Sequence, residues 1–157
     1  MISSAADLAV LFNIFHDGVI SDALFVDQGL QLNVRIAYLA RRIAPDFTTF
    51  AVRLGGVEDL SFATWPKDST APPEILREVS AIFYPHLDIL SGESSDGYVH
   101  VVCNQPSSDT PHCGGTLKFR ATSAVVCDQS AKQYALVELE TLARAYWDDW
   151  SKRNSTA

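Results

Sequence analysis

The sequence lacks most of the features that announce a function. No apolar run approaches the roughly 18 residues that a membrane-spanning helix needs. Residues 1–15 carry no Lys or Arg, and Asp7 interrupts their apolar part, which is not the pattern of a secretory leader. Cysteine is scarce and odd in number: Cys103, Cys113 and Cys127. Without a leader pattern, free thiols in a reducing compartment are the expectation, and the cytoplasm is the expected location. Gly-x-Gly-x-x-Gly, Gly-x-x-x-x-Gly-Lys and Gly-x-Ser-x-Gly are all missing, so neither nucleotide-binding nor hydrolase chemistry is indicated and no cofactor is expected. Positive charge is also in deficit, with 12 Lys and Arg against 19 Asp and Glu, a net −7. That field repels nucleic-acid phosphates and anionic lipid, which argues against both as partners. It would draw in a basic protein, although an acidic surface also serves plain solubility.

What is present reads as an ordinary globular chain. A protein of 157 residues, 47% hydrophobic and 20% charged, can bury about 68–70% of its unfolded surface and needs no metal or disulfide to do so. Residues 1–153 are expected to form one domain and 154–157 a frayed tail, and no internal repeat is visible. Ser4 followed by Asp7 resembles a helix cap, with Leu8, Leu11, Phe12 and Phe15 on one face, so a helix is expected over 7–15. Strands are expected over 19–26 and 30–38, joined by a turn at Asp27-Gln28-Gly29, and then over 47–54 and 60–65. A second helix is read over 75–83 from the stripe Ile75, Leu76, Val79, Ile82 and Phe83, stopped by Pro85. Strands over 87–90, 98–103 and 116–126 follow, with a long loop over 104–115. A long helix from about 130 to 152 closes the chain, its stripe including Leu139, Tyr146, Trp147 and Trp150. The fold class is therefore α+β: about seven mainly antiparallel strands in the order α-ββββ-α-βββ-α, covered by helices.

Candidate chemistry is sparse. His16 beside Asp17 could form an acid–base pair, but Asp-Gly is equally the chemistry that ends a helix. Cys103, His112 and Cys113 carry metal-ligand atoms, yet no Cys-x-x-Cys knuckle sets a zinc geometry, so no bound metal is expected. His112-Cys113 also permits a thiol nucleophile, for which no orienting third group is visible. Trp147 and Trp150 follow the apolar stripe and read as core anchors. Trp65, at the mouth of a loop, fits periodicity less well and is a candidate binding anchor, with Glu58 and Asp59 in a neighbouring turn as acidic steering residues.

One resemblance bears on function. A helix, then Phe15-His16-Asp17-Gly18, then a hairpin containing Val19-Ile20 and Leu30-Gln31-Leu32-Asn33-Val34 resembles a pattern in small bacterial α+β proteins. Some of these are proposed immunity proteins of polymorphic toxin systems. Over residues 11–65 the resemblance implies a cytoplasmic, stoichiometric inhibitor of a toxin, for which a basic nuclease is a suitable partner. The expectation is thus a non-enzymatic protein-binding module. The alternative is a small enzyme or ligand-binding protein with its site near His16, Asp17 and the 104–115 loop.

Overall fold

A computed structural model describes residues 2–27 and 29–155. Ser4 caps the first helix by accepting a hydrogen bond on Oγ from Asp7 N at 3.0 Å, and α1 runs Ala5–Ile14. It is followed by β1 (Val19–Val26), β2 (Gly29–Arg35), the single turn α2 (Ala37–Ala40), β3 (Thr49–Gly55), β4 (Glu58–Pro66), β5 (Ile75–Leu76) and α3 (Val79–Ile82). The second half contains β6 (Leu87–Ser95), β7 (Tyr98–Asn104), β8 (His112–Arg120), β9 (Ser123–Cys127), β10 (Gln133–Tyr134) and α4 (Leu136–Ser155). The α+β class, the antiparallel sheet and the long last helix are as expected. Among the described residues no helix is long and apolar enough to cross a membrane.

The strand count is ten where about seven were expected. The run at 116–126 is two strands, and β5 and β10 are two-residue strands too short to show a period. The second helix shrinks to four residues because Ile75 and Leu76 pair with Ala63 and Phe62 in extended conformation. The last helix begins later than Ser130. Asp128 Oδ1 accepts hydrogen bonds from Ser130 N, Ser130 Oγ and Lys132 N, which turns the chain, and Tyr134 donates its hydroxyl to Asp128 Oδ2. Glu138 then closes the start of α4 by accepting from Ala135 N at 2.7 Å. Asn154 and Ser155 belong to the helix, so the frayed tail is not seen there. Thr156, Ala157 and Gln28 of the first hairpin turn lie outside the described residues.

All pairings are antiparallel, and the strand order is β10-β9-β3-β2-β1-β6-β7-β8-β4-β5. Renumbering β1–β5 as β6–β10 and the reverse leaves this order unchanged, so the sheet has a pseudo-two-fold axis that the sequence hides. The correspondence extends to detail. Both first hairpins carry a bulge at the same place, Ser21 in one and Leu90 in the other. The axis passes through Val19 paired with Asp88. Between the two hairpins only Ile20/Ile89 and Asp27/Asp96 are identical, which is why no repeat is legible.

β3 runs into β4, and β8 into β9, as two long bent strands that pair from Ala51–Cys127 through Gly55–Ser123 and Glu58–Arg120 to Pro66–His112. This closes the sheet on itself. The crossing is tight: Thr122 N donates to Gly55 O at 2.9 Å, and Gly56, at φ +60°, has no room for a Cβ beside Thr122. Inside lies one apolar cluster built from α1 (Leu8, Leu11, Phe12) and the inward rows Ile20, Leu32, Val52, Ile89, Val101 and Phe119. Each such side chain contributes about 1.5–3 kcal/mol on burial.

Helix α1 lies on β6 and β7. The Leu90 bulge is followed by Gly92, whose N–H and C=O are both taken by Asn13, at 2.8 and 2.9 Å. Any Cβ on Gly92 would meet Ala9 O at 2.7 Å, so glycine is what lets the helix approach. Asn13→Ala should therefore destabilise the fold by about 1–3 kcal/mol, read as a lower urea midpoint at unchanged m-value. A change of only a few tenths would show that the helix does not depend on this clamp.

Candidate functional site

The sheet's outer face carries the residues that alternate with the core rows. Phe62 and Thr64 point inward and are buried, so Ala63 and Trp65 of β4 point outward, joined by Ile75 from β5 and by Tyr98, His100, Thr116 and Lys118 from β7 and β8. All of these outward-pointing residues except Trp65 line a groove of about 450 Å³, whose wall also includes Asp59, Ser61 and Arg77. Its floor is held from several sides. Tyr98 lies between Lys118 Nζ, 4.2 Å from the ring centroid, and the Arg120 guanidinium at 4.1 Å. The Tyr98 hydroxyl donates to Asp59 Oδ2 at 3.0 Å, and this bond to a carboxylate pushes the phenol's pKa up.

Of the binding residues expected from sequence, Trp65 is 38% exposed, its indole lying over Gly114. Glu58 and Asp59 lie in strand β4 and not in a turn. Glu58 stands opposite Arg120, and Asp59, with φ +55°, is engaged by Tyr98. Sequence reading missed Ile75, 60% exposed, because it was assigned to a helix. It also passed over Tyr98, Lys118 and Arg120, although the alternation that buries Val99, Leu117 and Phe119 already placed them on the opposite face. The pseudo-symmetric position in the other half is a smaller hollow of about 190 Å³, in which Gln31, Arg53, Val125 and Gln133 stand for His100, Lys118, Ser61 and Ile75.

The other candidates are dispersed. His16 uses Nδ1 on Asn13 O at 3.0 Å, stands 3.7 Å from Asp17 Oδ2, and stacks on Trp147 with ring centroids 5.2 Å apart. Asp17 takes φ +66° as α1 ends, and its N–H pairs with Ile89 O, stitching the junction to β6. No hydrogen bond, ion pair or ring contact among the described residues joins His16 or Asp17 to residues 104–115. Trp150 is 45% exposed and not a core anchor, and of α4 only Leu139 is buried. The helix packs on α1 and α2 rather than on the sheet, so its aromatic residues meet Tyr38 and His16.

Cys103 points into the core with its thiol on Val101 O, whereas Cys113, next to inward-facing His112, is exposed and lies 3.5 Å from Trp65 O. Among the described residues no three His, Cys, Asp or Glu groups gather to hold a metal. Burial pushes the His112 imidazole pKa down against the opposing pull of Glu74, so the ring is neutral at pH 7. Burial pushes the Cys103 thiol up from 9.0 to about 12, the nearby Asp88 adding to the effect. No family model, curated protein or solved structure matches the chain.

These environments separate the cysteines by reactivity. Iodoacetamide at pH 8 should modify Cys113 first and leave Cys103 intact until the protein unfolds, as read by mass spectrometry. The Cys103 shift also carries a sign. A thiol whose folded pKa is raised contributes stability that is whole below pH about 9, and that stability is lost as pH rises toward about 12. Early alkylation of Cys103 in the folded protein would contradict its placement.

Proposed function

We propose that the protein is a non-enzymatic binding module that holds another protein against the outer face of β4, β5, β7 and β8. The observation that carries this reading is the pair Trp65 and Ile75. Ile75 stands exposed in the wall of a groove whose floor is already fixed by Tyr98, Lys118, Arg120 and Asp59, and Trp65 stands exposed on the same face of β4, two residues beyond Ala63 of that wall. A preformed groove flanked by an aromatic anchor suits protein recognition, because little side-chain ordering remains to be done on binding. The smaller hollow in the other half favours this half as the binding side. The net charge of −7 supports a basic partner. The resemblance of residues 11–65 makes an immunity-type inhibitor of a basic bacterial toxin the particular form of the proposal, acting in the cytoplasm.

The test is capture of a partner from the native host, followed by association kinetics across a salt series with wild type, Trp65→Ala and Ile75→Asp. The association rate should fall steeply with added salt while dissociation changes little. Trp65→Ala should weaken the complex by about 2 kcal/mol, roughly 30-fold, with little change in melting temperature. Undiminished capture by the Trp65→Ala, Ile75→Asp double variant would remove this surface from the account. A hydrolytic activity abolished by His16→Ala, with no partner recovered at any ionic strength, would replace the binding reading with an enzyme.

A further inference from the structure

The two halves treat one feature of the sheet differently. β1 and β6 pair only at Val19–Asp88 and Ile20–Leu87, so beyond those residues each strand has a free edge. A two-residue turn closes each of their hairpins, at Val26–Gly29 and at Ser95–Tyr98, and this fixes where the backbone groups point. Counting back from the turn, Ala23 and Phe25 direct their N–H and C=O away from β2, as Gly92 and Ser94 direct theirs away from β7.

The edge of β6 is closed. α1 packs on it, Asn13 takes both backbone groups of Gly92, and the strand ends in Glu93, Ser94 and Ser95. The edge of β1 is open. Its counterpart to α1 is α3, which meets β1 for a single turn because Ile75 and Leu76 before it are held in β5. Ala23 N–H bonds to the carboxylate of its own neighbour, Asp22, at 2.9 Å. Among the described residues, Ala23 C=O and both backbone groups of Phe25 have no protein partner.

The side chains of this edge are apolar. β1 carries no Lys or Arg, the residues that commonly blunt an exposed edge. Phe25 lies on the core side of the hairpin, across from buried Leu30, yet it is 63% exposed. Leu24, on the other face, is 46% exposed. An apolar edge with unpaired backbone groups calls for another extended strand.

The segment is complementary to itself. When two β1 strands lie antiparallel with Leu24 on the axis, Ala23 of each copy falls opposite Phe25 of the other. Each such pair exchanges both of its N–H···O=C bonds, Ala23 N–H leaving Asp22 to do so, and every unpaired group is used. Phe25 then lies beside the small Ala23, Leu24 meets Leu24, and Asp22 faces Val26. Asp27 falls at the Ser21 bulge of the other copy. The register that satisfies the backbone therefore also keeps carboxylates from facing each other, as a protein of net −7 requires.

We infer that the free edge of β1 pairs with β1 of a second copy, joining two molecules into one continuous sheet across a two-fold axis at Leu24. A contact of this length buries less than the roughly 1,200–2,000 Å² of a standard interface, so association is weak and reversible. The contact lies in the half opposite the Trp65 groove and does not rest on the binding reading.

Sedimentation of the full chain from about 10 µM to about 1 mM spans a weak dimer, and the weight-average mass should rise from one chain toward two. Leu24→Lys places like charges on the axis, and Ala23→Pro removes an N–H that the β1–β2 ladder does not use. Each should reduce association at least about tenfold without a matching fall in melting temperature, and Trp65→Ala should leave association unchanged. Crosslinking in a Cys113→Ser background reads the register. Directly opposed Cα atoms are about 4.5 Å apart, within disulfide reach, so Leu24→Cys should oxidise to a covalent dimer. Phe25→Cys, about 8 Å from its own mate, should not. A protein that stays monomeric throughout the range overturns the inference. So does a dimer that Leu24→Lys and Ala23→Pro leave intact, or one that crosslinks equally through Phe25→Cys. Loss of partner capture on Ala23→Pro, in a protein that stays monomeric, would give the edge to a foreign strand and likewise overturn the pairing with a second copy.

Discussion

Residues 49–66 and 112–127 each run as one long bent strand, and the two pair with each other along their length. The rest of the molecule depends on that pairing. It joins the two ends of an otherwise open sheet, so the inward rows of both halves face one space, which α1 fills. The bend occurs where Gly56 and Thr122 cross, and a Cβ on Gly56 would obstruct it. β5 and β10, two residues each, stand at the ends of the strand order, while β1 and β6 meet only through Val19–Asp88 and Ile20–Leu87.

Closure also decides which side chains reach the surface. The interior holds one apolar cluster, and α1 is clamped at Gly92 by Asn13. Side chains that alternate with the core rows must point outward, and there the two halves diverge. Their backbones correspond strand for strand, yet one half holds a groove with Ile75 and Lys118 where the other has Gln133 and Arg53 around a smaller hollow. α4, packed on α1 and α2 instead of the sheet, brings Tyr146 and Trp147 against Tyr38.

Much of this was legible in the sequence, and the failures have specific causes. The alternation of Leu30, Leu32 and Val34 and of Phe50, Val52 and Leu54 marked buried strand faces correctly, because a period of two persists over several residues. Ser4 and Asp7 marked the start of α1 through a local bond that needs no tertiary context. Ile75 and Leu76 were misread because their spacing to Val79, Ile82 and Phe83 fits a helix, and only pairing with β4 makes them extended. Trp150 followed its helix's stripe, but the stripe is longer than the neighbours available to cover it. A helix start near Ser130 was expected, but Asp128 takes the Ser130 donors and turns the chain before α4 begins. The two-fold arrangement left almost no residue identity behind, since a buried strand face requires apolar volume and not a particular side chain.

The claim on which the account stands is that the two bent strands close the sheet. Native-state hydrogen exchange at the crossing tests it directly. Thr122 N–H, bonded to Gly55 O at the solvent-exposed bend, should exchange only through global unfolding, with the same denaturant dependence as the amide of Phe12 in the buried helix. Exchange of Thr122 by a local opening insensitive to denaturant, while Phe12 stays protected, would show that the sheet is open there and that its two halves are held together by the short β1–β6 pairing and α1.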